Sequence, residues 1–290
     1  MVTGVTLFTT DITSQKMMEE ESRKRADSEA RVALMTEFFT NISHEFKTPL
    51  TIILNSIEMT EMKLKSLEIQ NKGRILRNLS VMRQNAHRLL RLVANLLDIT
   101  KIDAGFLQVY LHEVDISRWM ERLIESVEDY AAQRGIKVNL NDDCEIQTLA
   151  MDGEKLDRIM LNLLSNAIKH TGKGGHIQVT LSDTVDMILI TVEDDGEGIP
   201  AEKQSLFFDR VRQVDSSMTR ASEGSGIGLA LTKALVEMQK GKIWFESNPG
   251  EGTTFYLQFP VMSCEGLRKL TMKDGIALNR KVEMEFSDII

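Results

Sequence analysis

Apolar side chains recur at Ile75, Leu79, Met82, Ala86, Leu89, Val93 and Leu96, in steps that alternate four and three. That period is the seam of a helix packed in a bundle or coiled coil, and it is too long and regular for a strand. Upstream, a second stripe runs through Phe38, Ile42, Phe46, Leu50, Ile53 and Ile57, inside one helix predicted from about 14 to 67. Asn71-Lys72-Gly73 is the predicted turn between the two. Two long amphipathic helices joined by a short turn make an antiparallel hairpin. Such a hairpin leaves much apolar surface open to water, so a homodimeric four-helix bundle is the economical arrangement. Packing against the chain's own remaining domain is the alternative.

Past about Gln108 the pattern changes to mixed helix and strand. Glu154 to Lys169 and Ile227 to Gln239 read as helices, the second closed by Gly241. Ile177 to Leu181 and Met187 to Glu193 read as one hairpin, Lys242 to Ser247 and Thr253 to Phe259 as another. The expected fold is therefore a helical hairpin followed by an α/β sandwich, with helices on one face of a mixed sheet. The expected divisions are an upstream remnant at 1–13, a hairpin at 14–107, an α+β domain at 108–262 and a tail at 263–290. In the tail, alternating Val282, Met284 and Phe286 read as an edge strand. At the other end, the β-branched residues of Gly4 to Thr13 read as a terminal strand, which cannot stand alone.

With 290 residues, 42% apolar and 27% charged, the chain has the composition of about two soluble globular domains. A net charge of −8 argues against nucleic acid as its main partner. Cys144 and Cys264 match no metal or redox spacing and suit a reducing compartment. The sequence shows no apolar run of the roughly 20 residues that span a bilayer and no secretory leader, so no membrane contact is expected within it.

One histidine is placed for chemistry. His44 lies two positions from both Ile42 and Phe46, so at about 100° per residue it faces away from the buried stripe. Glu45 is beside it, and Thr48 is one turn further along the same face. Pro49 lacks an N–H, which leaves the Glu45 carbonyl without its helical partner and bends the helix there. His87, His112 and His176 fit no motif and read as surface or packing residues.

Four further motifs converge on one ligand. Asn162 and Asn166 lie one turn apart on a helix face, with Lys169 and His170 beside them. An Asn carbonyl is a hard oxygen donor suited to Mg²⁺, though an Asn pair serves structural hydrogen bonding equally well. Asp194-Asp195-Gly196-Glu197-Gly198 puts a carboxylate at a strand end, where it can accept from an exocyclic amine. Gly196 and Gly198 would let a planar base approach the backbone. Gly224-Ser225-Gly226-Ile227-Gly228-Leu229 opens a helix, whose free N–H groups suit phosphate. No strand immediately precedes these glycines, which argues against a dinucleotide-binding βαβ unit. Last comes Gly250-Glu251-Gly252-Thr253, a turn and strand start.

His44-Glu45-Phe46-Lys47-Thr48-Pro49-Leu50 resembles the phosphoacceptor box of sensor histidine kinases. The four motifs, in this order and spacing, resemble the N box and the three glycine boxes of the ATP-binding fold shared by histidine kinases, gyrase-type topoisomerases, heat-shock chaperones and mismatch-repair proteins. Leu206-Phe207-Phe208-Asp209-Arg210 resembles the kinases' F box, and the polar stretch from Val211 to Glu223 fits a lid over ATP. Thr10-Asp11-Ile12-Thr13 weakly resembles the exit from a PAS-type sensor domain.

The resemblance implies a two-component kinase: His44 takes phosphate from ATP, Glu45 acts as its general base, and an Asp of a response-regulator receiver domain receives the phosphate. It assigns Asp194 to the adenine amino group and Asn166 to Mg²⁺. It turns Asn162, Lys169, His170 and Arg210 toward the phosphates. Gly196, Gly198, Gly224, Gly226, Gly228, Leu229 and Thr253 complete the nucleotide site. Glu45-Phe46-Lys47-Thr48 is similar to the Glu-x-x-Thr pattern of kinases that are also phosphatases, which gives Thr48 a role in orienting water. The ATP-hydrolysing relatives carry Glu where this chain has Asn162, and Asn is no general base. The implied location is a cytoplasmic, soluble core, with any membrane anchor upstream. The alternative is a degenerate ATP-binding scaffold, but none of the required His, Asn or Asp residues is lost.

Overall fold

The computed structural model describes residues 46–64, 72–146, 148–204, 227–267 and 275–286. The terminal strand, the helix before residue 46, His44 and Glu45, the F box with Arg210, the stretch 211–223, and Gly224 and Gly226 lie outside the described residues.

Helix α1 (46–64) and helix α2 (Lys72–Asp103) form the expected pair. Leu50 and Leu54 of α1 bury against Ala86 and Leu90 of α2, and Arg83 pairs with Glu61 at 3.0 Å. Helix α2 already includes Lys72 and Gly73, so these two residues make its first turn rather than the turn between helices. Glycine is tolerated there because the first N–H groups of a helix have no acceptor within it. The apolar stripes are only partly covered. Ala86 is buried, but Met82 stays 56% exposed and Leu89 50%, as do Phe46 and Ile53 at 53% and 46%. Two helices can bury only their facing stripes, and Leu54 takes the inward place on α1 that the sequence reading gave to Ile53.

The remainder is the sandwich. Five strands run in the order β2 (Lys137–Asp142), β4 (His176–Asp183), β5 (Met187–Asp194), β7 (Gly252–Pro260), β6 (Lys242–Asn248). Only β2 and β4 are parallel. A second small sheet pairs β1 (His112–Asp115) with β3 (Thr148–Met151). On one face lie α3 (Ile116–Gln133), α4 (Gly153–His170) and α6 (Ile227–Met238), while α5 (Ala201–Gln204) is a single turn. The inward positions of β4 and β5 alternate Ile177, Val179, Leu181 and Ile188, Ile190, Val192, all fully buried. Helices α3 and α4 begin at acidic caps, with Asp115 accepting from the Arg118 N–H and Asp152 from the Lys155 N–H. Helix α6 stops at Met238, and the left-handed residue beyond it is Lys240, not Gly241. Gly241 is required for another reason: a Cβ there would stand 2.7 Å from the Gln258 carbonyl.

The tail is not an edge strand. Residues Gly275–Glu285 form helix α7, with Leu278, Val282 and Phe286 buried at spacings of four. The alternation of Val282, Met284 and Phe286 was a coincidence of two periods, and burial selected the helical one. Phe286 packs its ring 5.3 Å from Tyr130 of α3, and Lys281 pairs with the buried Asp157 of α4 at 2.6 Å. Helix α7 also runs along α2, whose Ile99 and Ile102 pack against the sandwich core, so hairpin and sandwich share apolar contacts. Among the described residues no helix is long and apolar enough to cross a membrane, and Cys144 and Cys264 are free thiols.

Phe286 is fully buried on one side of this junction. Phe286→Ala is expected to cost about 3–5 kcal/mol, read as a lowered urea midpoint. Val185→Ala, at a 91% exposed turn, should stay within about 0.5 kcal/mol of the parent.

Candidate active site

Helix α4 buries Leu156, Ile159, Met160, Leu163, Leu164 and Ile168 completely. That fixes its rotation, and Asn162, Asn166 and Lys169 are left half-buried on the other side. His170 ends the helix, exposed, with its Nδ1 2.7 Å from Glu197 Oε1. The Glu197 N–H donates to the His170 carbonyl at 3.3 Å. A Cβ on Gly196 would come within 2.5 Å of that carbonyl, so the loop after β5 lies directly on the end of α4.

Asp194 is the last residue of β5 and is 6% exposed. Its carboxylate accepts from the Gly196 N–H at 3.0 Å and from the Thr253 N–H. Burial nevertheless dominates and pushes its pKa above the ordinary 3.8, against those two hydrogen bonds. Across the sheet Asp194 faces Thr253, itself buried. Gly252, at φ 95°, passes so close to the Asp194 carbonyl that a side chain cannot fit, which makes glycine obligatory in that turn.

Two glycine motifs are thus one body. The Gly250 N–H donates to the Glu197 carbonyl at 2.8 Å, and Gly198 lies against the Asn248 carbonyl. Ser247, which the sequence reading did not single out, joins them: its Oγ accepts from Ile199 N–H at 2.8 Å and donates to the Gly252 carbonyl at 3.0 Å. Gln204 adds bonds to the carbonyls of Ile199 and Ser247. No sequence period announces such contacts, because they cross between loops far apart in the chain. Asp195, to which the sequence motif gives no role of its own, accepts from the His176 N–H at 2.8 Å and anchors the loop to β4.

The third glycine motif meets α4. The Asn162 amide donates to Thr232 Oγ1 of α6 at 2.8 Å, and a Cβ on Gly228 would stand 2.7 Å from Asn162 Oδ1. Leu229 is half-buried against the main core. Thr48 is exposed on α1, among the hairpin residues rather than with the nucleotide motifs. Two contact groups result: the end of α4 and the loops after β5 and before β7 gather His170, Gly196, Gly198, Asp194 and Thr253, while the middle of α4 meets the start of α6 at Asn162 and Gly228. Among the described residues no three His, Cys, Asp or Glu side chains form a metal cage. Carboxamide oxygens fit a Mg²⁺ that takes most of its ligands from phosphates and water.

Residues 34–105 match the His Kinase A (phospho-acceptor) domain, and residues 151–263 match the histidine kinase-, DNA gyrase B- and HSP90-like ATPase. The chain belongs to the histidine kinase family. The chain is 31% identical over 261 residues to the sensor histidine kinase WalK of Bacillus subtilis, covering 89% of this chain and 40% of that protein. It is 35% identical over 233 residues to the sensor histidine kinase TmoS of Ectopseudomonas mendocina, covering 80% of this chain and 23% of that one. The chain thus spans less than half the length of either relative. In fold, it is similar to full-length ShkA in complex with AMPPNP, with a TM-score of 0.63 and 24% identity over 78% of this chain and 46% of that one. It is also similar to the histidine kinase ThkA in complex with the response regulator protein TrrA, with a TM-score of 0.53 and 22% identity over 87% of this chain and 68% of that one. Helix α7 lies outside both family matches.

Because Asp194 is disfavoured as an ion in the folded state, its folded pKa exceeds its unfolded one. Its contribution to stability is present at low pH and is lost as pH rises from about 3.8 through the folded value. The stability of the parent minus that of Asp194→Asn should therefore fall across that window in paired denaturant titrations. A difference that stays flat would show that burial does not govern this carboxyl.

Proposed function

We propose that this chain binds Mg-ATP between α4, the loop after β5 and the start of α6, phosphorylates its own His44, and passes the phosphate to an Asp of a response-regulator receiver domain. The observation that carries this reading is Asn162, a carboxamide whose Oδ1 stands against Gly228 of the third glycine motif. A carboxamide cannot take a proton from water, so ATP held there waits for another nucleophile.

In the first step a neutral His44 nitrogen forms a bond to the γ-phosphorus as the bond to the β–γ bridging oxygen breaks, and ADP leaves. Glu45 takes the proton from the other ring nitrogen. Asp194 accepts from the adenine amine, Lys169, His170 and Arg210 balance phosphate charge, and Asn166 holds Mg²⁺, which neutralises charge on the transferring group. The N–P bond is energy-rich and suits onward transfer. Residues 14–107 serve as the dimerising phosphoacceptor hairpin and 108–262 as the catalytic domain. A second copy covers the exposed Met82, Leu89 and Leu96. Thr48, exposed one turn beyond His44, orients water on the regulator's phospho-aspartate.

Incubation with γ-labelled ATP should give an acid-labile label on the parent. His44→Gln should bind ATP with unchanged affinity and take up no label, and label persisting at the parent level overturns the assignment. Thr48→Ala should keep autophosphorylation and slow regulator dephosphorylation by about tenfold or more, as for a lost positioned hydrogen bond. Equal loss of both activities would make Thr48 structural.

A further inference from the structure

We infer that Thr232 is a positioning residue that sets which way the Asn162 carboxamide points. Thr232 lies on α6, is 2% exposed, and its Oγ1 is 3.0 Å from the Gly228 carbonyl one turn back. A carbonyl can only accept, so the hydroxyl hydrogen is committed to it. The hydroxyl's remaining lone pairs can then only accept, and the group opposite, 2.8 Å away, is the Asn162 amide. The amide nitrogen is thereby held toward α6 and Oδ1 toward the glycine turn. A carboxamide flipped by 180° would leave an oxygen facing a hydroxyl with no hydrogen to offer. The relay runs from Gly228 through Thr232 to Asn162, so the backbone of the glycine motif orients the side chain that stands over it. This deepens the reading of Asn162 as a phosphate-side residue and rests on it.

Thr232→Val keeps the volume and removes the relay, and Thr232→Ser restores it. Two readouts separate the relay from the nucleotide assignment. The Asn162 side-chain ¹⁵NH₂ signal, identified by its loss in Asn162→Ala, should be protected from exchange in the parent and in Thr232→Ser but not in Thr232→Val. Unchanged protection in Thr232→Val overturns the relay. The maximal His44 labelling rate should fall in Thr232→Val by about tenfold, the scale of one displaced ligand group, with little change in ADP affinity and with recovery in Thr232→Ser. If Asn162→Ala itself leaves labelling intact, the nucleotide reading of Asn162 fails while the exchange result still decides the relay.

A different observation carries a second proposal. The structure assigns α7 the role of a latch that ties the ATP-binding unit to the hairpin and restrains its movement. Arg91 of α2 donates to the Glu285 carbonyl at 2.5 Å and stands 3.7 Å from its carboxylate. Ser165 of α4 reaches the same carbonyl at 3.3 Å, and Lys281 holds Asp157 of α4. Nearby, Arg158 of α4 bonds Asp98 and Asn95 of α2. Arg91 and Arg158 carry the ties to α2, while Ser165 and Lys281 hold α7 on α4; His44 comes before residue 46, where the described part of α1 begins. Phosphate must arrive within about 3–3.5 Å of the imidazole, and a regulator must later reach the same nitrogen. A unit bolted to one helix cannot serve both steps without release.

Spin labels at Val81→Cys and Val185→Cys, with Cys144 and Cys264 replaced by Ser, should give a narrow distance distribution in the otherwise unaltered chain and a broad one in Arg91→Ala. The same distribution in both overturns the latch. The His44 labelling rate should rise severalfold in Arg91→Ala, and a rate that is unchanged or lower overturns the restraint. If no variant labels at all, the kinase reading fails and the distances alone decide whether α7 is a latch.

Discussion

The packing of α4 on the sheet is the contact on which the rest depends. Six of its apolar side chains are fully buried, each contributing about 1.5–3 kcal/mol relative to exposure. The energetic consequence is a fixed helix rotation. With that phase set, Arg158, Asn162 and Asn166 fall at intervals of four along one line. Arg158 meets the hairpin, Asn162 meets α6, and Asn166 follows on the same side. A slip of one residue in α4 would turn all three by about 100° and scatter the site.

The junction between hairpin and sandwich is built differently, from charges taken out of water. Glu285 is buried enough that its pKa is raised, although Arg91 and Arg158 both pull it down. Asp157 is in the same position, raised by burial against the opposing pull of Lys281. Such pairs add little net stability, because desolvation consumes most of the attraction, yet breaking one partner is costly. Their value is geometric: ionic groups tolerate one arrangement, while the apolar contacts of Ile99 and Ile102 tolerate several. The junction is therefore specified by polar groups and stabilised by apolar ones.

The nucleotide end has its own logic. Asp194, Gly196, Gly198 and Thr253 belong to two motifs more than fifty residues apart, and the antiparallel register of β5 on β7 sets Asp194 opposite Thr253. Ser247 then stitches the two loops through one hydroxyl. The buried carboxylate is held ready by backbone donors that cannot rearrange.

Local sequence determined the elements whose periods are long and uncontested. The α2 seam, α4, the β4–β5 hairpin and the β6–β7 hairpin are legible because an apolar face leaves a repeat of 3.5, 3.6 or 2 residues, whether or not this chain covers that face itself. The site residues on α4 and β5 were legible because their motifs are contiguous. Helix α3 escaped notice although Asp115 caps it and Met120, Leu123 and Val127 repeat inward, a signal that was present and readable. Strands β1 and β3, four residues each, are too short to show a period. Only the tertiary structure decided that the tail is a helix, that Thr232 faces Asn162, that Ser247 joins two loops, and that Arg91, Glu285 and Arg158 meet. Periodicity records which face of an element is buried, but not which partner buries it. That choice is made when distant elements compete for the same surface.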